Sequence, residues 1–331
     1  MRFDELDLED EILDGLEDMN FHEMTPVQEH TIPVILEGRD IIGCAQTGTG
    51  KTAAYTLPLL NKLLIEGNPD NVVKSLIIVP TRELAQQIDQ QFQGFSYYAP
   101  LSTTVVYGGG DGKGWDIQKN GMLNGADVVI ATPGRMIAHL QNSGVDLSHV
   151  EYLILDEADR MLDMGFIHDI RRILPLLPER RQTLFFSATM PESIAALAAK
   201  ILRNPVLVTV TPPASVVETI AQTVHFAEKA EKSQLLIDLL SASDAQQVLV
   251  FSRTKHGADK LAKILNRAGI RSCAIHGNKS QNARVKAMND FKSGECRVMI
   301  ATDIAARGID ISELSHVFNY DLPEVPETYV H

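Results

Sequence analysis

The sequence has 331 residues, of which 44% are hydrophobic and 22% charged, and this length and composition exclude a disordered chain and a fibrous repeat. Its apolar runs are too short for a membrane helix, no secretory signal opens the sequence, and three widely spaced cysteines argue against a disulfide framework. We therefore expect a cytoplasmic protein of two domains with no membrane partner.

The net charge of −13 is concentrated at the start of the sequence. Residues 1–18 contain nine acidic residues and one basic residue, whereas residues 209–331 contain 14 of each. Main-chain N–H groups and single arginines can hold a nucleic-acid backbone without a basic surface. The acidic charge therefore does not exclude a nucleic-acid partner.

Short apolar segments alternate with helical ones, a pattern typical of parallel sheets flanked by helices. The first series of predicted strands covers residues 40–45, 75–80, 103–107, 127–131, 152–156, 183–187 and 206–210. The second series begins near Thr223 and continues at residues 247–252, 271–275, 297–301 and 316–320. Paired prolines at 212 and 213 predict a linker over residues 211–220, because proline neither pairs in a sheet nor continues a helix. We predict α/β domains over residues 1–210 and 221–331.

A glycine-rich loop follows the first predicted strand and precedes a predicted helix. It reads Ala45-Gln46-Thr47-Gly48-Thr49-Gly50-Lys51-Thr52, and it begins with alanine where the strict pattern has glycine. In such a loop the backbone N–H groups of residues 46–52 surround phosphates, Lys51 reaches the outer phosphates, and Thr52 can bind magnesium. The loop therefore predicts a nucleotide site.

Two acidic residues, Asp156 and Glu157, follow the buried apolar run 152–155. In a protein with a phosphate-binding loop, Asp156 would bind magnesium through water, and Glu157 would orient or deprotonate the attacking water. Taken alone, such a pair also suits a helix cap. We expect Lys51, Asp156 and Glu157 to be the catalytic residues.

The run Asp156-Glu157-Ala158-Asp159 and the motifs around it resemble the DEAD-box RNA helicases of helicase superfamily 2. The other matching motifs, in the family's order, are Thr25-Pro26-Val27-Gln28, the glycine-rich loop, residues 80–85, Gly108-Gly109, Thr132-Pro133-Gly134-Arg135, Ser187-Ala188-Thr189, residues 250–253, Gln281 with Arg284, and residues 301–310. The resemblance extends from Phe3 to His331 and implies two tandem RecA-like domains that use ATP, Mg²⁺ and RNA. Residues 3–6 and 43–47 are most similar to the bacterial RhlE-type subgroup.

The resemblance also implies roles for individual residues. Gln28 would recognise adenine, with Phe21 stacking on the base, Phe3 as an upstream aromatic, and Asp310 near the ribose. The RNA path would be lined by Thr81, Arg82, Gly109, Thr132, Arg135, Arg253, Arg284 and Thr302. Asp159, Ser187 and Thr189 would couple nucleotide state to domain closure.

Several of these motifs also suit ordinary helix features. Thr25 and Gln28 fit a capping box, Thr132 and Thr189 fit helix caps, and Gln281 with Arg284 fits a solvated helix face. An amide both donates and accepts hydrogen bonds, so capping does not prevent Gln28 from distinguishing adenine from guanine. These alternatives stay open at the level of sequence.

The family's last motif begins with a histidine after Tyr-x and continues into a loop that contains the arginine fingers, whereas this sequence stops at Tyr329-Val330-His331. We therefore expect residues 1–331 to lack the fingers and to form an incomplete second sheet. The overall prediction is a monomeric ATP-dependent RNA helicase that closes on single-stranded RNA, separates short duplexes, and hydrolyses ATP poorly when limited to these residues. The alternatives are an RNA clamp that ATP closes, and an ATPase that acts on DNA or protein complexes.

Overall fold

The computed structural model describes residues 1–46, 48–109, 112–210, 221–243, 245–302, 314–323 and 329, without the side chains of residues 112, 281 and 282. The chain divides into two compact units, Met1–Pro213 and Ala214–His331. The predicted linker, residues 211–220, lies outside the described residues.

The first unit contains a seven-stranded parallel sheet. Its strands are β1 Ile41–Cys44, β2 Ser75–Ile78, β3 Thr103–Val106, β4 Val128–Ala131, β5 Tyr152–Leu155, β6 Gln182–Ser187 and β7 Val206–Thr209. They are ordered β3-β4-β2-β5-β6-β1-β7, and every neighbouring pair is parallel. All seven strands predicted for this part of the chain are confirmed.

Helices surround this sheet. They are α1 Asp10–Asp18, α2 Pro26–Leu36, α3 Lys51–Glu66, α4 Arg82–Phe95, α5 Gly112–Leu123, α6 Pro133–Asn142, α7 Ala158–Asp163, α8 Ile167–Ile173 and α9 Glu192–Ile201, with 3₁₀ turns at Phe3–Glu5 and Leu174–Leu176. Successive residues of a strand point to opposite faces, so Phe185 and Phe186 of β6 belong to two different hydrophobic cores. Burial on both faces explains why these strands are almost wholly apolar.

The second unit contains a four-stranded parallel sheet. Its strands are β8 Val248–Phe251, β9 Ser272–Ile275, β10 Val298–Ala301 and β11 His316–Asn319, in the order β11-β8-β10-β9. Its helices are α10 Lys232–Ala242, α11 Lys255–Arg267 and α12 Gln281–Lys292. These four strands match the prediction.

The predicted strand near Thr223 is wrong. Residues 221–228 are in no regular element, and Phe226 is 96% exposed. The alternation of Val224 and Phe226 with polar residues satisfies the sequence pattern of a strand. A strand also needs a partner edge, and among the described residues no strand pairs with this segment.

Most of the predicted motifs of the first unit follow the carboxyl ends of its strands. The glycine-rich loop follows β1, Thr81 follows β2, Gly109 follows β3, Thr132 follows β4 and Asp156 follows β5. The carboxyl ends of parallel strands meet at one edge of a sheet, which is where open α/β sheets bind ligands. The topology therefore brings these residues to a common edge.

In the parts of the chain that the structure describes, no helix combines the length and apolarity needed to cross a membrane.

Candidate nucleotide-binding and RNA-binding site

The glycine-rich loop is closed by its own hydrogen bonds. The ammonium group of Lys51, a residue 6% exposed, donates to the Ala45 carbonyl at 2.7 Å. The Thr49 hydroxyl donates to the Gln46 carbonyl, also at 2.7 Å. Lys51, which is predicted to bind phosphates, is thus hydrogen-bonded to the first residue of the loop. Thr47 lies outside the described residues.

Gln28 connects the start of α2 to this loop. Its side chain is 1% exposed, its Oε1 accepts from the Thr25 N–H at 2.8 Å, and its Nε2 donates to the Gly50 carbonyl at 3.1 Å. The first bond is the Gln28 half of a capping box, whereas the Thr25 hydroxyl has no hydrogen-bond partner among the described residues, so the capping interpretation is met only in part. The second bond links the amide to the phosphate-binding loop, and the predicted contact with adenine stays a prediction.

The two aromatic residues predicted near the base differ in exposure. Phe3 is only 2% exposed, and its ring centroid lies 6.5 Å from that of Phe21. Phe21 is partly buried and meets the Phe95 ring edge-on at 5.1 Å. Phe3 therefore packs behind Phe21 in the core and offers no free ring face to a base. Asp310, predicted near the ribose, lies outside the described residues.

Asp156 is buried at the end of β5 and accepts two hydrogen bonds. Its Oδ1 accepts from the Glu157 N–H at 2.8 Å, and its Oδ2 accepts from the Tyr55 hydroxyl at 3.0 Å. Burial raises the pKa of the Asp156 carboxyl to about 6, although the charge of Lys51 opposes this rise. The charge of Lys51 therefore favours the ionised form of this carboxyl, against the effect of burial.

Tyr55 is a residue that sequence reasoning missed. It is fully buried in α3, its hydroxyl donates to Asp156 Oδ2 at 3.0 Å, and the Thr52 hydroxyl lies beside it. Burial and the neighbouring Asp156 raise the pKa of this phenol well above its usual value. A tyrosine three residues after Thr52 on an apolar helix gives no sequence signal that separates it from an ordinary core residue.

The arrangement around Tyr55 fits a magnesium ion. The Thr52 hydroxyl and the Asp156 carboxylate converge on the same phenol group, beside the N-terminus of α3. Magnesium prefers hard oxygen ligands and usually keeps several waters beside one or two protein oxygens. Two oxygen donors that lie together in a buried site match this requirement.

Glu157 has an unusual backbone conformation for a residue with a side chain. Its φ is +53°, and its carboxylate forms an ion pair with Arg160 in the first turn of α7. The left-handed conformation is unfavourable for a non-glycine residue and is concentrated at functional sites. The bond from its N–H to Asp156 helps to hold this conformation.

The three residues predicted to couple the motifs contact one another. Asp159 Oδ2 accepts from both the N–H and the hydroxyl of Thr189, each at 2.8 Å. Ser187 Oγ accepts from the Asp159 N–H at 3.1 Å and donates to the Thr189 carbonyl at 2.7 Å. Since α9 begins only at Glu192, the helix-cap interpretation of Thr189 is wrong.

The RNA-binding residues predicted in the first unit lie beyond β2, β3 and β4. Thr81 caps α4, because its hydroxyl accepts from the Leu84 N–H at 3.2 Å. Thr132 precedes Pro133 at the start of α6, where its hydroxyl lies 3.5 Å from the Val106 carbonyl oxygen. Gly109, with φ of +91°, is part of the loop after β3.

The two arginines of this group each lie over an aromatic ring. The Arg82 guanidinium carbon is 4.3 Å from the Tyr107 ring centroid, and that of Arg135 is 4.5 Å from the Trp115 centroid. Both distances are within the range of cation–π contacts. The sequence contains these aromatic residues but gives no signal for this pairing.

In the second unit the predicted RNA residues lie after β8, after β10 and in α12. Arg253 donates its N–H to Asp321 Oδ2 at 3.1 Å, and its Nη2 donates to the Leu322 carbonyl at 3.4 Å. The Thr302 N–H donates to the Ile275 carbonyl at 3.4 Å. Arg284 lies in the first turn of α12. The side chain of Gln281 is not among the described parts of the chain.

Asp321, which sequence reasoning missed, anchors the loop that contains Arg253. Lys232 forms an ion pair with it at 2.9 Å, and Ser252 donates to it at 3.4 Å. Burial favours a higher pKa for the Asp321 carboxyl, but the hydrogen bonds from Lys232 and Arg253 outweigh burial and lower it.

Comparison with known proteins identifies the class. The family model "DEAD/DEAH box helicase" matches residues 25–197, and "Helicase conserved C-terminal domain" matches residues 231–331. Together they span both units, and the chain belongs to the DEAD/DEAH box helicase family.

Individual relatives agree with this class. The chain is 41% identical over 331 residues to the DEAD-box ATP-dependent RNA helicase CshA of Streptococcus pneumoniae serotype 4, covering 100% of this chain and 62% of that one. It is 42% identical over 330 residues to the ATP-dependent RNA helicase CshA of Listeria monocytogenes, with the same coverage. The chain thus spans less than two thirds of the length of these relatives.

Solved structures agree as well. Saccharomyces cerevisiae Dbp5 bound to RNA and ADP BeF3 superimposes with a TM-score of 0.84 at 30% identity, covering 100% of this chain and 84% of that one. A DEAD box protein from Methanococcus jannaschii is 36% identical with a TM-score of 0.60, covering 100% and 88%. The predicted fold class of two tandem RecA-like domains is therefore confirmed.

Proposed function

We propose that this chain is the core of an ATP-dependent RNA helicase. The observation that supports this most strongly is that two acids three residues apart, Asp156 and Asp159, contact two different motifs. Asp156 contacts Tyr55 beside the glycine-rich loop, while Asp159 contacts Thr189 beyond β6. A change at the nucleotide can thus reach the Ser187–Thr189 motif through a single short segment.

We assign the nucleotide chemistry to the first unit. Lys51 and the N–H groups of residues 46–52 bind the phosphates, and Gln28 with Phe21 binds the base. Thr52 and Asp156 hold Mg²⁺, which when bound neutralises charge on the phosphates. Glu157 orients the attacking water and accepts its proton, and the ion pair with Arg160 must loosen for this step.

We assign RNA binding to the edge beyond β2, β3 and β4 and to the loops of the second unit that contain Arg253 and Thr302. The N-termini of α4 and α6 lie at this edge of the first unit's sheet, together with Arg82 and Arg135. Helix N-termini and arginines bind phosphate oxygens and do not read base edges. RNA is therefore held through its backbone, which suits a protein that acts on many sequences.

We infer that ATP and single-stranded RNA together favour a closed arrangement of the two units, in which duplex pairing is lost locally. Nucleotide state then shifts an equilibrium between two conformations, and the closed one binds RNA more tightly. The contact between Asp159 and Thr189 is the part of this coupling that lies within the first unit.

The test is nucleotide-dependent RNA binding by residues 1–331. Fluorescence anisotropy compares a labelled single-stranded RNA with the DNA of identical sequence, each with ADP, with ADP BeF3, and without nucleotide. We expect RNA to bind more tightly than DNA, most strongly with ADP BeF3. Equal binding of DNA would favour a general ATPase, and RNA binding strengthened by ADP BeF3 in a chain that continues through the family's last motif but shows no ATP turnover would favour an RNA clamp.

Three narrower assignments belong to this proposal. Residues 3–6 and 43–47 favour the RhlE-type subgroup, which the position of the complete sequence in a family tree would test. We also infer a cytoplasmic monomer, for which light scattering is expected to give a mass near 36.5 kDa for residues 1–331. Finally, a polypeptide limited to these residues is expected to bind nucleotide and hydrolyse it slowly.

A further inference from the structure

A cluster of side chains beyond β3 and β4 holds the two arginines of the first unit. Arg82 begins α4, Arg135 lies in α6, and the residues that contact them belong to the end of β3 and to α5. The strands β3, β4 and β2 are adjacent in the sheet, so the loops and helices after them are neighbours.

Gln118 lies at the centre of this cluster and is 7% exposed. Its Oε1 accepts from Arg135 Nε at 2.8 Å, and its Nε2 donates to the Tyr107 carbonyl at 3.1 Å. The Tyr107 ring lies under Arg82, at 4.3 Å from the guanidinium carbon. One buried amide therefore connects the supports of both arginines.

Trp115 and His139 complete the support of Arg135. The Trp115 ring stacks on His139 with centroids 3.8 Å apart and an interplanar angle of 19°, and it lies 4.5 Å from the Arg135 guanidinium carbon. His139 Nε2 lies 3.1 Å from Gln118 Oε1, and its Nδ1 lies 3.0 Å from Ser143 Oγ. Because Gln118 Oε1 can only accept, Nε2 bears the ring proton and Nδ1 accepts from the serine.

The neutral state of His139 is consistent with its surroundings. It is fully buried, and burial together with the charges of Arg135 and Lys119 lowers the pKa of its imidazole to about 4. A neutral ring avoids repulsion with the Arg135 guanidinium beside it.

Among the residues that the structure describes, these contacts orient the Arg135 guanidinium through Nε and the ring face, and no hydrogen bond is made by its Nη groups. Gln118 binds Nε, whereas a phosphate can be bound through the pair of Nη groups. A free arginine side chain loses rotamer freedom when it binds a ligand, so an arginine that is already oriented binds at a lower entropic cost.

We propose that Gln118, Trp115 and Tyr107 are positioning residues for RNA binding, which hold Arg135 and Arg82 as one unit aimed at the RNA backbone. This inference rests on the proposed RNA-binding function. Without these residues the arginines would keep their charge and lose their orientation, so RNA affinity would fall while nucleotide affinity would not.

The test compares variants of residues 1–331 for affinity to a labelled single-stranded RNA with ADP BeF3. Gln118→Leu and Trp115→Leu are expected to weaken RNA binding about five- to tenfold, because a charge-assisted hydrogen bond or a cation–π contact is lost. Trp115→Phe, which keeps a ring, is expected to stay within about twofold of the wild type. Ile117→Ala is the matched control, since Ile117 lies on the same helix and is 72% exposed.

A double-mutant cycle distinguishes positioning from mere stability. In the background of Arg135→Ala, Gln118→Leu is expected to cause a smaller further loss of RNA affinity, which acts through Tyr107 and Arg82, and no further loss when Arg82→Ala is also present. ADP affinity, measured in parallel, is expected to be unchanged in every variant. Loss of ADP affinity, or equal losses in the presence and absence of Arg135, would overturn the inference in favour of a structural role.

The outcomes also separate this inference from the proposed function. If the wild type and Arg135→Ala both fail to bind RNA, the proposed function fails. If the wild type binds RNA and Arg135→Ala weakens it, but Gln118→Leu and Trp115→Leu bind as well as the wild type, only the positioning inference is overturned.

Discussion

Asp156 and Asp159 lie one helical turn apart and have different tasks. Asp156 is buried against Tyr55 and Lys51, and burial raises the pKa of its carboxyl while the Lys51 charge opposes this rise. Asp159 accepts two hydrogen bonds from Thr189 and is committed to the neighbouring motif. Between them, Glu157 has a left-handed backbone conformation, and its carboxylate forms an ion pair with Arg160.

Glu157→Gln tests the catalytic assignment. In a chain that continues beyond His331 through the family's last motif, the substitution is expected to spare ATP binding and to lower turnover by about 10² to 10⁴, the range of general-base catalysis. Steady-state ATP hydrolysis and the binding of a fluorescent ATP analogue measure the two effects. Turnover equal to that of the wild type would refute the role of Glu157.

Gln28→Ala tests the role of the buried amide. We expect the free energy of ATP binding to become less favourable by roughly 1 to 3 kcal/mol, because a buried polar partner of the nucleotide is removed. Gln28→Glu is the matched control, since it keeps the oxygen that accepts from Thr25 and loses the donor to Gly50. If both variants only lowered the melting temperature and left ATP affinity unchanged, capping alone would explain the residue.

His139 predicts how stability depends on pH. In the folded chain its pKa is about 4, below the usual 6.5, so the unfolded chain binds a proton at a higher pH than the folded one. Stability from this residue is complete above about pH 6.5 and is lost as the pH falls towards 4, at a cost on the order of 2 kcal/mol. Melting temperatures at about pH 7.5 and about pH 5 are expected to differ less in His139→Gln than in the wild type. An equal difference in both would contradict this prediction.

At the scale of elements, the glycines at the two ends of α3 share a positive φ but differ in their surroundings. Gly50 at its N-terminus has φ of +89°, and a Cβ there would lie 2.6 Å from Gln28 Nε2. Gly67 at its C-terminus has φ of +65° with open space around it. Both positions strain a side chain, but only Gly50 also has a close neighbour.

We therefore expect Gly50→Ala to weaken ATP binding at least about tenfold by displacing Gln28 and the loop, with the fold retained. Gly67→Ala, the matched control, is expected to lower stability by about 1 kcal/mol and to leave ATP binding unchanged. Calorimetric titration with ATP and thermal unfolding measure both. ATP affinity in Gly50→Ala equal to that in Gly67→Ala would contradict the prediction.

Much of the architecture can be predicted from apolar runs, because a buried parallel strand such as Leu153–Leu155 needs little beyond its own composition. The predicted strand near Thr223 fails because pairing depends on a partner edge that lies elsewhere in the sequence. Tyr55, Gln118 and Asp321 were missed for a similar reason. Each acts through a contact with a residue distant in sequence, which local patterns do not encode.

At the scale of the whole molecule, the chain has both helicase units of its family and spans 62% of the length of the relatives described above. Residues 1–331 include every nucleotide ligand assigned here to the first unit. Arginine fingers, where they act, contribute on the order of 10³ to 10⁵ in rate. A chain that continues through the family's last motif is therefore expected to hydrolyse ATP far faster than residues 1–331.

In the proposed function, ATP turnover depends on RNA. It is tested most directly by steady-state ATP hydrolysis in the chain that continues through the last motif, with single-stranded RNA, with DNA of the same sequence, and with neither. We predict strong stimulation by RNA and little by DNA, and only slow turnover under all three conditions for residues 1–331. Equal turnover with and without RNA in the longer chain would contradict the account.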